Sequence, residues 1–106
     1  MNRVEFLHSI NQNGKDFQST LIGFFDQFMA LYSLVGQYNV SVVNNTDEST
    51  IKFTVSFDES DLLNRLEDMI AQNNNMITLY GRVFNIFLNR VTEKDIDIIF
   101  VDGSTF

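Results

Sequence analysis

Apolar positions along the chain change period several times, and each change marks an element. Asn2 and Glu5 fit an N-cap and its box partner, so the spacing predicts a helix from Arg3 with Phe6, Leu7 and Ile10 on one side. Asn11-Gln12-Asn13-Gly14 interrupts that pattern. From Phe17 the stripe is wide: Phe17, Leu21, Phe24, Phe25, Phe28, Leu31, Tyr32 and Val35 recur at three and four, and Gly36 stands at the expected C′ position. Tyr38 to Asn44 and Thr50 to Phe57 read as strands. The second sets Ile51, Phe53, Val55 and Phe57 against Lys52, Thr54 and Ser56. Polar Asn45-Thr46-Asp47-Glu48-Ser49 between them predicts an antiparallel hairpin.

Asp58 or Ser60 is the expected cap of a further helix, whose buried face is Leu62, Leu63, Leu66, Met69 and Ile70. Asn73-Asn74-Asn75 looks like a break, yet the apolar phase resumes beyond it. Met76, Ile77, Tyr80, Val83, Phe84, Phe87, Leu88 and Val91 keep helical spacing, with Thr78, Arg82, Asn85 and Asn89 opposite. The Val, Ile and Phe content there favours strand. That alternative, however, puts Asn85 and Asn89 on the same face as Val83, Phe87 and Val91, so the spacing predicts helix over 76–91. Thr92 to Asp95 is a turn and Ile96 to Val101 a last strand. The expected fold is therefore α+β in the order α-β-β-α-β. Two long helices, each with an Asn-rich joint at which it can break, pack on one face of a small, mostly antiparallel three-stranded sheet. Residues 1–106 form one domain on this reading.

Composition narrows the function classes. The chain holds 7 Lys and Arg against 14 Asp and Glu, a formal net charge of -7, with no cysteine or proline, 11 phenylalanines and 12 asparagines. Without cysteine there is no disulfide framework, thiolate nucleophile or ordinary zinc site. Glu5 and His8 break any signal-peptide core, and no apolar run reaches the length of a membrane span, so a cytoplasmic setting is expected. Scattered cations argue against direct binding to nucleic acid or to anionic membranes. His8 is the sole histidine and no phosphate-binding glycine loop or zinc motif occurs, so no enzyme and no cofactor are expected.

The acids carry the functional lead. Asp58, Glu59, Asp61, Glu67 and Asp68 lie along the predicted second helix, and Glu93, Asp95, Asp97 and Asp102 around the last strand. Asp95 and Asp97 share one strand face roughly 6.6 Å apart, as edge charges that discourage aggregation. Carboxylates at strand or helix-turn spacing approximate the separation of phosphates along a nucleic-acid strand. In this general character the chain resembles DNA-mimic inhibitors, among them anti-restriction and anti-CRISPR proteins, without a sequence match to one family. The resemblance implies a non-enzymatic module that blocks a basic nucleic-acid-binding surface through Asp58, Glu59, Asp61, Asp68, Glu93, Asp95, Asp97 and Asp102. Abundant Phe, Asn and Ile with few Ala and Arg match an AT-rich coding sequence, as in phages of low-GC hosts and in those hosts themselves. The alternative is a homo-oligomeric assembly module. If the Phe-rich helix stripes around Phe24, Phe25, Phe28, Phe84 and Phe87 exceed what one domain covers, the surplus becomes a homodimer seam rimmed by Tyr32, Tyr38 and Tyr80.

Overall fold

The computed structural model describes residues 17–43, 50–79 and 81–103. Among them are two helices, α1 (Phe17–Leu31) and α2 (Ser60–Gln72), and five strands: β1 (Tyr38–Val43), β2 (Thr50–Phe57), β3 (Met76–Leu79), β4 (Arg82–Arg90) and β5 (Asp95–Asp102). The fold is α+β, as expected, but the sheet has five strands and not three, in the order β1-β2-β5-β4-β3, with every pair antiparallel. The expected helix from Arg3, the turn over 45–49, His8 and Tyr80 lie outside the described residues.

Helix α1 forms where the stripe predicted it, and Leu21, Phe24, Phe25, Phe28 and Met29 are buried. It stops four residues early. Ser33, at φ +58°, is the left-handed C′ residue, and the Ser33 and Leu34 amides close back onto the carbonyls of Ala30 and Met29 at 3.1 and 2.9 Å. That double closure is a Schellman end, so Gly36 is not the C′ residue and Val35 is exposed beyond the helix. Gly36 has another use. A Cβ there would lie 2.7 Å from Cδ2 of buried Leu62, so glycine lets the α1–β1 loop close on α2.

On the sheet, alternate residues of the strands form the buried face beneath the helices, with Tyr38, Val40 and Val42 of β1 half-buried at its margin. Ile51, Phe53, Val55 and Phe57 of β2, Ile96, Ile98 and Phe100 of β5, Phe84 and Ile86 of β4, and Ile77 and Leu79 of β3 are all buried. Phe24 inserts among Phe53, Phe84 and Phe100 at ring centroid distances of 6.2, 5.5 and 5.2 Å. Phe28 stands perpendicular to Phe100 at 5.2 Å. Edge-to-face pairs of this kind add about 0.5–1.5 kcal/mol each beyond area burial. At the margin of this core the Tyr38 hydroxyl donates to Asp26 at 2.7 Å. Burial first, then the hydrogen bond and charge of Asp26, push that hydroxyl's pKa above the ordinary tyrosine value.

The segment expected as helix over 76–91 is instead the β3–β4 hairpin. Leu79 pairs with Arg82, and Gly81, at φ +73°, makes the tight connection. The Asn-rich joint is a true break: Asn74 and Asn75 both take positive φ near +60°, a conformation asparagine tolerates better than most residues. Helical spacing in this stretch left out Leu79 and Ile86, and both prove to be buried. The helix α2 begins at Ser60 with Glu59 in the N-cap position, and no side chain caps it, so neither Asp58 nor Ser60 serves as expected.

Candidate interaction surface

Both helices cover one face of the sheet, and the other face carries a polar half and an apolar half. The polar half is built on β1, β2 and the first residues of β5: Asn39 and Ser41, Thr54 and Ser56, then Asp95 and Asp97. Asp97 accepts from Thr54 Oγ1 at 3.1 Å and meets Lys52 Nζ at 3.9 Å. Asp95 accepts from the Ser56 hydroxyl and from Thr92 Oγ1, the latter at 2.7 Å. The Ser56 bond first, then the Thr92 bond, holds the Asp95 carboxyl below the usual carboxylate range. β5 is the central strand, so these two acids are not edge charges; they stand mid-sheet on the open face.

The two acidic groups read from the sequence converge at one end of the molecule. The amide of Phe57 donates to the Lys94 carbonyl at 2.8 Å, which lays the β4–β5 turn beside the residue preceding Asp58. Asp58 and Glu59 at the head of α2 thus share an end with Glu93 in the turn and Asp95 at the start of β5. Cations elsewhere are engaged: Arg65 with Asp61 at 3.1 Å, Arg90 with Glu67 at 2.5 Å, Arg82 with Asp102 at 2.6 Å, and Lys52 with Asp97. Among the described residues no ion pair reaches Asp58, Glu59, Glu93 or Asp95. Asp61 is at this end but paired, and Asp68 is exposed further along α2.

Asp102 does not belong to any acidic surface. It ends β5 on the core side, 4% exposed, opposite Phe84, where Arg82 grips it with both Nε and Nη2. The Phe-rich helix faces are not a seam either, since Phe24, Phe25, Phe28 and Phe84 are buried within the chain. Tyr32 and Tyr38 make internal hydrogen bonds to Thr78 and Asp26.

What sequence reasoning missed is the apolar half of the open face. Val83 and Phe87 of β4, Val91 just beyond it and Met76 of β3 are exposed, and Ile99 and Val101 of β5 lie half-buried beside the β4 row. The signal was present: a strand over 82–90 puts Val83 and Phe87 on one face with Asn85 and Asn89. An apolar–amide mixture fits a surface without a permanent cover. No three acidic or histidine side chains among the described residues are grouped to hold a metal ion. No helix among them is long and apolar enough to cross a membrane. No protein family, curated protein or solved structure matches the chain.

Proposed function

We propose that the chain is a small acidic, non-enzymatic binding module that engages a basic protein surface, of the kind that grips nucleic acid, through its acidic end. The observation that carries this reading is the meeting of Asp58, Glu59, Glu93 and Asp95 at one end, where Lys94 is the one cation among them, while Lys52, Arg65, Arg82 and Arg90 of the described residues are spent in pairs with other acids. Carboxylates clustered in excess of cations raise the local concentration of basic partners and steer their approach. Occupying a positively charged groove in place of phosphates makes such a module an inhibitor of the DNA-mimic type, acting in the cytoplasm where nucleic-acid enzymes work.

Affinity capture from a cell lysate across a salt series tests the reading, with wild type compared against the triple reversal Asp58→Lys, Glu59→Lys and Glu93→Lys. All three side chains are exposed, so the reversal leaves the core intact. A captured protein should elute progressively as salt shortens the Debye length, be displaced by duplex DNA, and be absent from the triple variant. Capture that the triple variant retains overturns the acidic-end reading.

A further inference from the structure

The open face of β4 reads the same in both directions. Its outward residues are Val83, Asn85, Phe87 and Asn89, and Val91 continues the row, held in register by its amide donating to the Asp95 carbonyl at 2.9 Å. The row is therefore valine, asparagine, phenylalanine, asparagine, valine, symmetric about Phe87. Val83, Phe87 and Val91 are 42%, 57% and 62% exposed, and Met76 beside them 46%. Four of the six large apolar side chains found exposed among the described residues thus stand on this one face.

We infer that this face is the seam of a two-fold homodimer in which the open sheets of two copies stack, β4 against β4, with the axis crossing at Phe87. A closed two-fold contact must be self-complementary, residue i meeting j and j meeting i. An axis lying between the sheets and perpendicular to β4 turns the strand end for end. Phe87 then meets Phe87 of the second copy, each Val83 meets a Val91, and each Asn85 meets an Asn89. Apolar faces apolar and amide faces amide along the whole row.

The neighbouring strands follow the same axis. β5 lies beside β4 with Asn89 opposite Asp97, Phe87 opposite Ile99 and Asn85 opposite Val101, and β2 beyond it sets Lys52 opposite Ile99. The same rotation sets Ile99 on Ile99 and each Asp97 over a Val101, so no carboxylate faces its own copy; it also brings Lys52 to Lys52 at the rim, where each ammonium has its own Asp97 at 3.9 Å. The acidic ends point in opposite directions, away from each other.

The area is of the right order. Met76, Val83, Phe87 and Val91 leave on the order of 400 Å² of side chain uncovered, about half of the ~800 Å² that each partner contributes to a standard interface. Asn85, Asn89, Ile99 and Val101 border that patch, with Thr50, Thr54 and the Lys52–Asp97 pair as its polar rim, and an apolar centre with a polar rim is typical of such seams. This seam is separate from the acidic-end reading and stands or falls without it.

Sizing chromatography with light scattering, across micromolar to submillimolar protein, tests the seam. Wild type should approach twice the 12.2 kDa of one chain and go no further. Phe87→Lys adds two cations at the centre of the seam and removes two apolar contacts, so its dissociation constant should rise roughly a hundredfold or more. Val91→Lys should weaken the dimer as well, while Val35→Lys, at an exposed apolar position far from the face, should not. Far-ultraviolet spectra and melting curves of the variants verify that each is folded. Dimerisation should strengthen with salt, because both copies are acidic, whereas capture by the acidic end should weaken; the two readings therefore fail separately. A wild type that stays monomeric throughout overturns the seam, and loss of partner capture by Phe87→Lys would then assign the face to a different protein. Assembly beyond two copies, or a Phe87→Lys dimer as tight as wild type, overturns it too.

Discussion

Replacing Asp102 should destabilise the protein more than replacing any other of its described acids. Asp102 and Arg82 approach to 2.6 Å with side chains 6% and 17% exposed, at the core-side margin of β4 and β5. Asp102→Ala removes the carboxylate from a largely buried guanidinium, with little water to replace it. Breaking a buried pair from one side costs about 3–5 kcal/mol, and the residual access of Arg82 to solvent favours the lower figure. For a chain of 106 residues about 3 kcal/mol corresponds to a fall in Tm of about 12 °C.

Urea denaturation of four proteins measures the effect: wild type, Asp102→Ala, Arg82→Met, and Arg82→Met combined with Asp102→Leu. The double variant removes both charges and leaves apolar groups of similar volume, so it should recover most of the loss. Asp68→Ala, on the outer side of α2, should stay within about 0.5 kcal/mol of wild type. An Asp102→Ala protein within about 1 kcal/mol of the Asp68 variant would refute the claim that Asp102 is a structural residue, and with it the reason for removing it from the acidic surface.

In wild type, a carbon-detected titration of Asp95 should give a midpoint below the ordinary 3.9. Its contribution to stability is present above about pH 3.9 and fades as pH falls through that depressed midpoint. Ser56→Ala should raise the midpoint toward the ordinary value, with Thr92 still holding it down, and an unmoved value would refute the Ser56 hydroxyl as the main cause. Gly23 and Gly81 should respond oppositely to alanine, since an added Cβ meets nothing within 4 Å at either. Gly81→Ala should cost about 1 kcal/mol because φ is +73°, whereas Gly23→Ala inside α1 should add up to about 1 kcal/mol; equal signs in urea melts would refute the backbone argument. Phe24→Ala, which empties the space between Phe53, Phe84 and Phe100, should cost about 3–5 kcal/mol by the same measurement.

The legible parts of the chain were those with one buried face and one wet one. α1, α2 and the β1–β2 hairpin each have a single apolar stripe, so period and burial agree. β4 breaks that rule. Its inner residues Phe84, Ile86 and Leu88 and its outer residues Val83 and Phe87 are all apolar, and five apolar positions in one stretch can be threaded by a helical period as easily as by an alternating one. One residue separates the cases. Ile86 falls on the polar side of any helix that buries Phe84 and Phe87. Gly81, in a run rich in Val, Ile and Phe, is the hairpin signal that helical spacing obscured. The same open face that hid the strands is the one proposed as the seam, so the misreading and the candidate site have one physical origin.

Mistaking the hairpin for a helix also misplaced the acids. Without β3 and β4, β5 is an edge strand and its carboxylates are peripheral; with them, β5 is flanked on both sides. Because strand side chains alternate with period two, shifting β5 by one residue would carry Ile96, Ile98 and Phe100 out of the core. Asp95 and Asp97 are therefore held on the open face by the burial of their neighbours, and Ser56 and Thr54 fix their carboxylates further. Asp58, Glu59 and Glu93 sit on exposed connections with no such lock. A partner that engages Asp95 meets a charge already ordered, and pays little further conformational entropy there, while the three acids on the connections must still be ordered on contact. Single reversals should accordingly rank Asp95→Lys above Glu93→Lys in loss of capture, although both remove the same charge from the same end of the molecule. Equal losses would mean that only total charge is read, and that the core-held placement of Asp95 contributes nothing to recognition.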